Sequence, residues 1–173
     1  MVGAGSRMSY GGLKIEGAGM PPLFLKTCTQ KLEVIADGSW HRTVNGTLLC
    51  TRVLGAKKYR TTCTGEGPAQ PGMDRLNLGD HVHIHSVQRL WQQGQFEGVT
   101  LERRPAPGSI VVLDEKGGVL AFDQVELMVI PRFLGRPFYV GYCPILEICL
   151  TEIRFESQQG ELNPQWFIMG EER

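Results

Sequence analysis

Three histidines stand two residues apart in the segment His81-Val82-His83-Ile84-His85. Side chains in a β-strand alternate between the two faces, so a strand here places all three imidazoles on one face. Imidazole nitrogens are good ligands for zinc, iron and nickel. The spacing of His81, His83 and His85 therefore makes them candidate metal ligands.

Neighbouring residues on one face of a strand lie about 6.5–7 Å apart, so the three imidazoles need a further group to close a metal site. Asp80 or His41 of the same chain could supply it, as could histidines of other subunits around a symmetry axis. The simpler interpretation, which we prefer, is a solvated strand face with Val82 and Ile84 directed into the core.

Cysteines offer a second route to a metal. Cys143 and Cys149 enclose five residues, whereas zinc knuckles enclose two to four. An iron–sulfur cluster needs four thiolates, which the sequence could supply, but the spacing matches no compact motif. We therefore expect no cofactor, and thiols that are mostly buried as small apolar groups. The five cysteines are Cys28, Cys50, Cys63, Cys143 and Cys149.

Signals of catalysis are weak. The sequence has no Gly-x-Ser-x-Gly elbow and no glycine-rich phosphate loop leading into a helix. Asp114-Glu115 and Glu171-Glu172 are typical of a solvated turn and a polar terminus rather than of an acid–base pair. A Cys–His dyad stays open, because both residue types occur but nothing pairs them. The chain is predicted not to be an enzyme.

The tryptophans Trp40, Trp91 and Trp166 are spread along the chain. Large aromatic side chains usually anchor a core or an interface. Trp40 shares a predicted strand face with Arg42, which favours packing on the arginine stem. A sugar-stacking role for Trp40 or Trp91 is the alternative, and it would make the chain a carbohydrate-binding β-sandwich.

Composition narrows the class of protein. The 173 residues carry 18 Lys plus Arg and 18 Asp plus Glu, for a formal net charge of zero. This balance gives no field that recruits nucleic acid or an anionic membrane. No apolar run approaches the roughly 20 residues of a membrane span, and the first residues lack the apolar core of a secretory signal. We expect a protein made in a reducing cytoplasm.

The sequence predicts that strands and turns position the candidate histidines, cysteines and tryptophans. Residues 1–22 are predicted to form a glycine-rich extended arm, whose Tyr10, Leu13 and Ile15 could become buried against a neighbouring subunit. Residues 23–173 are predicted to form a single all-β domain, a β-sandwich or β-barrel of about ten short antiparallel strands.

Turn chemistry supports this prediction. Asn45-Gly46 is the strongest short hairpin signal in the chain, and Asp114–Gly118 is a second predicted turn. Residues 125–130 are predicted to be one strand ended by Pro131. Residues 146–153 could be a short helix by pattern, but their β-branched content favours a strand.

Three stretches together resemble small β-rich proteins of bacteriophage tails, from the tail tip or baseplate region. The first is the turn–strand–turn unit Asp37-Gly38-Ser39-Trp40-His41-Arg42-Thr43-Val44-Asn45-Gly46-Thr47-Leu48. The second runs from Tyr59 through a Pro/Gly loop to Leu78-Gly79-Asp80-His81-Val82. The third is the ending, Pro144-Ile145-Leu146 followed by Trp166 and Glu171-Glu172.

The resemblance implies a structural role in a virion. It would place the chain in a ring or sleeve of the tail, in contact with copies of itself and with other tail proteins, and without catalysis. It transfers no binding residues. The competing hypotheses are a metal-binding β-barrel enzyme that uses the three histidines and the carbohydrate-binding β-sandwich.

Overall fold

The computed structural model describes residues 12–18, 28–35, 38–52, 57–66, 75–95, 97–132, 136–156 and 165–173, with side chains except at 38–40 and 50–52. These residues form β-strands joined by turns and contain no α-helix, so the all-β prediction is confirmed. The fourteen strands are β1 (Lys14–Ile15), β2 (Thr29–Val34), β3 (Gly38–Arg42), β4 (Leu48–Arg52), β5 (Tyr59–Glu66), β6 (His81–His85), β7 (Leu90–Gly94), β8 (Val99–Thr100), β9 (Val111–Asp114), β10 (Phe122–Val125), β11 (Met128–Pro131), β12 (Phe138–Tyr142), β13 (Ile145–Glu156) and β14 (Gln165–Glu172).

The chain folds into two compact units, each built from separated segments. The first unit combines residues 1–16 with 83–146, and the second combines 17–82 with 147–173. Sequence analysis predicted an arm over residues 1–22 followed by one domain. The structure groups the described arm residues 12–16 with 83–146 and residues 17–18 with the second unit.

The first unit contains two three-stranded antiparallel sheets, with strand orders β7-β12-β9 and β10-β11-β8. β1 pairs with the end of β6, where Lys14 lies opposite His85 and Ile15 opposite Ile84. Apolar side chains from both sheets, together with Leu101, make one core. Its fully buried members are Leu101, Val112, Val129, Phe138, Val140 and Tyr142.

The second unit contains the strand order β13-β14-β5-β2, and β3 pairs with β4 as a separate two-stranded ribbon. Strand β5 alternates as a half-buried strand should, with Thr61, Cys63 and Gly65 inward. A β-bulge between Leu150 and Glu152 adds one residue to β13. Because of this residue, Leu150 and Ile153 lie on the same face of the sheet.

Each unit contains a large aromatic ring that lies over a glycine of the neighbouring strand. Trp166 of β14 is opposite Gly65 of β5, and Phe138 of β12 is opposite Gly94 of β7. A Cβ atom at Gly65 would lie 2.5 Å from the indole, and one at Gly94 would lie 2.1 Å from the phenyl ring. Any side chain at either glycine would therefore displace the ring.

Two of the predicted elements are confirmed and one is wrong. The Asn45-Gly46 turn is present, with Gly46 at a φ of 80° and its N–H donating to the Thr43 carbonyl at 2.8 Å. Residues 146–153 lie within strand β13. The predicted strand 125–130 is instead broken by a two-residue turn, where Glu126 adopts a φ of 53° and separates β10 from β11.

The β1–β6 pairing gives a prediction on stability. Ile15 is 2% exposed, so Ile15→Ala should lower the free energy of unfolding by about 2–5 kcal/mol through lost burial and a residual cavity. The neighbouring Lys14 points outward, so Lys14→Ala should change it by less than about 0.5 kcal/mol. Urea titration of both variants checks this, and equal effects of the two substitutions would contradict the pairing.

Candidate functional site

The structure brings two of the three predicted histidines to one carboxylate. Pairing of β1 with β6 is extended by a hydrogen bond from the Glu16 N–H to the His83 carbonyl, at 2.9 Å. This backbone contact places the Glu16 side chain between two imidazoles. Its Oε1 lies 2.9 Å from His85 Nε2, and its Oε2 lies 3.5 Å from His83 Nδ1. Lys14 Nζ lies 3.6 Å from Oε1.

The two imidazoles differ in exposure, and they act on Glu16 to different degrees. The His85 side chain is 14% exposed and that of His83 is 56% exposed. The pKa of Glu16 is lowered from its ordinary value, most of all by the hydrogen bond from His85. Desolvation opposes the shift, and the charges of His85, Lys14 and His83 add to it. The carboxylate is thus held in its ionised form and fastens β1 to β6.

His81, the third predicted ligand, pairs with a different residue. Its Nδ1 lies 3.9 Å from Glu147 Oε1. Asp80 accepts a hydrogen bond from the Asn77 N–H at 2.8 Å and so closes a turn, and His41 lies exposed on β3. Within the described ranges, no group of three or more His, Cys, Asp or Glu side chains is arranged to hold a metal ion.

None of the described cysteines Cys28, Cys63, Cys143 and Cys149 forms a disulfide, and Cys63 and Cys143 are buried. Cys63 is fully buried, and this burial raises the pKa of its thiol to about 12. Burial also raises the pKa of Cys28 and of Cys143. Cys149 is partly exposed. Since the thiolate is the nucleophile and the metal ligand, the raised pKa makes Cys63 unreactive near neutral pH.

The tryptophans have different environments. Trp166 is 2% exposed and belongs to the core of the second unit, whereas Trp91 on β7 is 51% exposed. Trp40 lies on β3 opposite Cys50, and its side chain lies outside the described residues, so the predicted packing on Arg42 stays a prediction. The predicted interface residues Leu13 and Ile15 are buried within their own chain, and Tyr10 lies outside the described residues.

The second unit has a surface cleft of about 380 Å³ on the β13–β14–β5 part of its sheet. Arg154 forms an ion pair with Glu152 and lies 5.5 Å from the centre of the Phe167 ring. Glu66 Oε1 accepts a hydrogen bond from Gln165 Nε2 at 3.3 Å. These charged groups of the cleft are therefore already paired with neighbours. Its lining residues are Thr29, Thr64, Gly65, Glu66, Arg154, Glu156, Gln165, Trp166 and Phe167.

Comparison with known proteins gives no relative, since no family model and no curated protein matches the chain. The resemblance to tail proteins thus stays a prediction from the quoted stretches. In the part of the chain that the structure describes, no helix is long and apolar enough to cross a bilayer.

Glu16 gives a prediction on pH dependence. A nuclear magnetic resonance titration of its side-chain carboxyl carbon should give a pKa below the ordinary glutamate value. His85→Ala should raise that pKa, because it removes the strongest cause of the shift. An unchanged titration in His85→Ala would contradict the geometry.

The same group should contribute to stability with a defined sign. A carboxyl pKa that is lower in the folded state stabilises the fold above the unfolded-state pKa, and this contribution is lost as the pH falls through the folded-state value. Glu16→Gln should therefore lower the free energy of unfolding at pH 7, and the deficit should disappear in acid. Glu115→Gln, at an exposed turn, is the matched control.

Cys63 gives a prediction on reactivity. In a variant that keeps Cys63 as its sole cysteine, iodoacetamide at pH 8 should fail to label the folded protein and should label it in urea. A thiol pKa of about 12 leaves about one thiolate in ten thousand at that pH. A variant that keeps only Cys149 should react while folded. Rapid alkylation of native Cys63 would show that it is not buried.

Proposed function

We propose that the chain is a non-enzymatic structural subunit that works through contacts with copies of itself and with other proteins. We further propose that its setting is a bacteriophage tail, in the tip or baseplate region. The observation that carries the first proposal is the β3–β4 ribbon, which presents apolar side chains to solvent.

The ribbon has two strands in the described ranges of the chain. β3 and β4 pair only with each other in the described part of the chain. The turn between them is closed by the Thr43 N–H, which donates to the Thr47 carbonyl at 2.9 Å. Arg42 Nη1 adds a hydrogen bond to the Gly46 carbonyl at 3.1 Å. These bonds fix the conformation of the tip.

Three apolar side chains of this ribbon are exposed, in addition to exposed polar side chains such as His41 and Arg42. Val44 at the tip is fully exposed, and Leu48 and Leu49 are 50% and 51% exposed. Successive residues of a strand point to opposite faces, so these two leucines place apolar surface on both sides of the ribbon. A two-stranded hairpin is marginally stable by itself. Apolar surface on both faces suits an element that becomes seated between neighbouring proteins.

Two sequence features support the tail setting. The stretch 37–48 that resembles tail proteins covers β3 and the turn of the ribbon, so the resemblance and the exposed apolar surface fall on the same element. The zero net charge leaves no long-range repulsion between copies of the chain. In this proposal the chain is made in the host cytoplasm and ends in the tail of the virion.

The ribbon predicts how association responds to substitution. Sedimentation velocity of the purified chain should show oligomers whose fraction rises with concentration. Val44→Asp and Leu49→Asp should each reduce that fraction, because burial of apolar area drives association and a carboxylate opposes it. Val125→Asp, at an exposed apolar position on β10 that is outside the ribbon, is the control.

Two results would overturn the proposed role of the ribbon. One is a wild-type chain that stays monomeric at all concentrations, and the other is an oligomer fraction that falls equally in Val125→Asp and Leu49→Asp.

The tail setting is tested separately by electron microscopy of purified phage particles that contain this chain. Density for the chain in the tail supports the proposal, whereas its location in the capsid contradicts it.

A further inference from the structure

A third aromatic ring lies over a glycine on the outer face of the β7–β12–β9 sheet. Trp91 of β7 is opposite Gly141 of β12. A Cβ atom at Gly141 would lie 2.8 Å from Cη2 and Cζ3 of Trp91 and 2.7 Å from Cδ of Arg89. The indole and the arginine stem therefore lie across the space above Gly141, in close contact with the sheet.

The Trp91 ring differs from the Trp166 and Phe138 rings in its exposure to solvent. Trp166 and Phe138 are 2% and 1% exposed, whereas Trp91 is 51% exposed. The β7–β12–β9 sheet buries its opposite face, where Val112 and Val140 are fully inaccessible. The position of Trp91 is thus fixed by its own sheet, while much of its surface stays open. A ring whose orientation is restricted before a ligand arrives loses little freedom on binding.

The neighbours of Trp91 make its face amphipathic. Residues directly opposite in the register share a face, so the outward positions of these three fully described strands form two rows. The first row contains Trp91, Gly141 and Val111, and the second contains Gln93, Tyr139 and Leu113. Tyr139 is 39% exposed. None of the six positions carries a carboxylate.

The polar groups on this face can both donate and accept hydrogen bonds. Gln93 carries an amide that does both, and the Tyr139 hydroxyl does both as well. The adjacent Arg89 is engaged, since its Nη2 donates to the Ser109 carbonyl at 3.3 Å. The face therefore offers two aromatic surfaces edged by neutral hydrogen-bonding groups.

We propose that this face binds a neutral sugar in the pyranose form, with Trp91 as the stacking platform and Tyr139 and Gln93 as edge contacts. A pyranose with equatorial hydroxyls has an apolar face of axial C–H bonds, which fits the electron-rich face of an indole. Its hydroxyl groups lie around the edge and need both donors and acceptors. A second protein surface is a poorer occupant, because covering Gln93 without a matched partner would leave its amide unsatisfied.

Titration of the full chain with defined oligosaccharides tests the proposal. The probes are soluble β-1,4-linked oligomers of glucose and of N-acetylglucosamine, followed by calorimetry and tryptophan fluorescence. Saturable binding of at least one probe is expected. Trp91→Ala should weaken it at least about tenfold, and Trp91→Phe should weaken it less, because a smaller ring remains.

A second variant tests whether binding requires the Trp91 indole in its observed position rather than only its presence. Gly141→Ala keeps Trp91 but forces the indole away from the sheet, so binding should also weaken. Val125→Ala, at an exposed position outside these three strands, should leave it unchanged. Unfolding curves of each variant show whether the fold is retained, and Trp91→Phe keeps the test decisive if Gly141→Ala does not fold.

Three results would overturn the proposal: no saturable binding of either probe, binding that survives Trp91→Ala, or a loss of self-association in Trp91→Ala without any sugar binding. The last result would make this face an interface between copies of the chain. Failure here leaves the ribbon proposal standing, because Val44 and Leu49 are tested by sedimentation and not by sugar binding.

Discussion

An aromatic ring resting on a glycine of the adjacent strand fixes the register of both units. Trp166 holds β14 to β5 in this way, and Phe138 holds β12 to β7. The ring fills the space that a side chain would occupy, so a slip by one residue would place a real side chain beneath it. Since side chains alternate with a period of two, such a slip would also turn the apolar face of the strand to solvent. Side-chain packing and backbone strand pairing therefore specify the same register.

The regular parts of the fold could be predicted because they depend on local chemistry. Period-two alternation indicates strands such as β6, and an Asn-Gly pair indicates the turn at residues 45–46. The break between β10 and β11 gave no comparable signal. Glu126 adopts a left-handed backbone that usually calls for glycine or asparagine, so sequence analysis read one strand where the structure has two. The two-residue turn that joins the paired strands β10 and β11 requires this conformation.

The candidate sites likewise combine residues that local patterns predict with residues that only long-range strand pairing brings together. Alternation placed the histidines on one face, but it could not supply Glu16, which is 69 residues from His85 along the chain. That partner follows from the β1–β6 pairing, which is a long-range contact. Trp91 was recognised as a candidate stacking residue from its type alone. Its close contact with the sheet depends on Gly141, which lies on another strand and which only the register reveals.

The discontinuous make-up of the two units bears on how the chain reaches its native state. The first unit joins residues before position 17 to residues beyond 82, and the second needs β14, near the end of the chain, to pair with β5. Neither unit is complete while the ribosome is still adding the middle of the polypeptide. Such non-local pairing requires closure of long loops before contacts form, which slows folding. The early strands of each unit therefore stay unpaired until their distant partners have been synthesised, so each unit forms late relative to its own first strand.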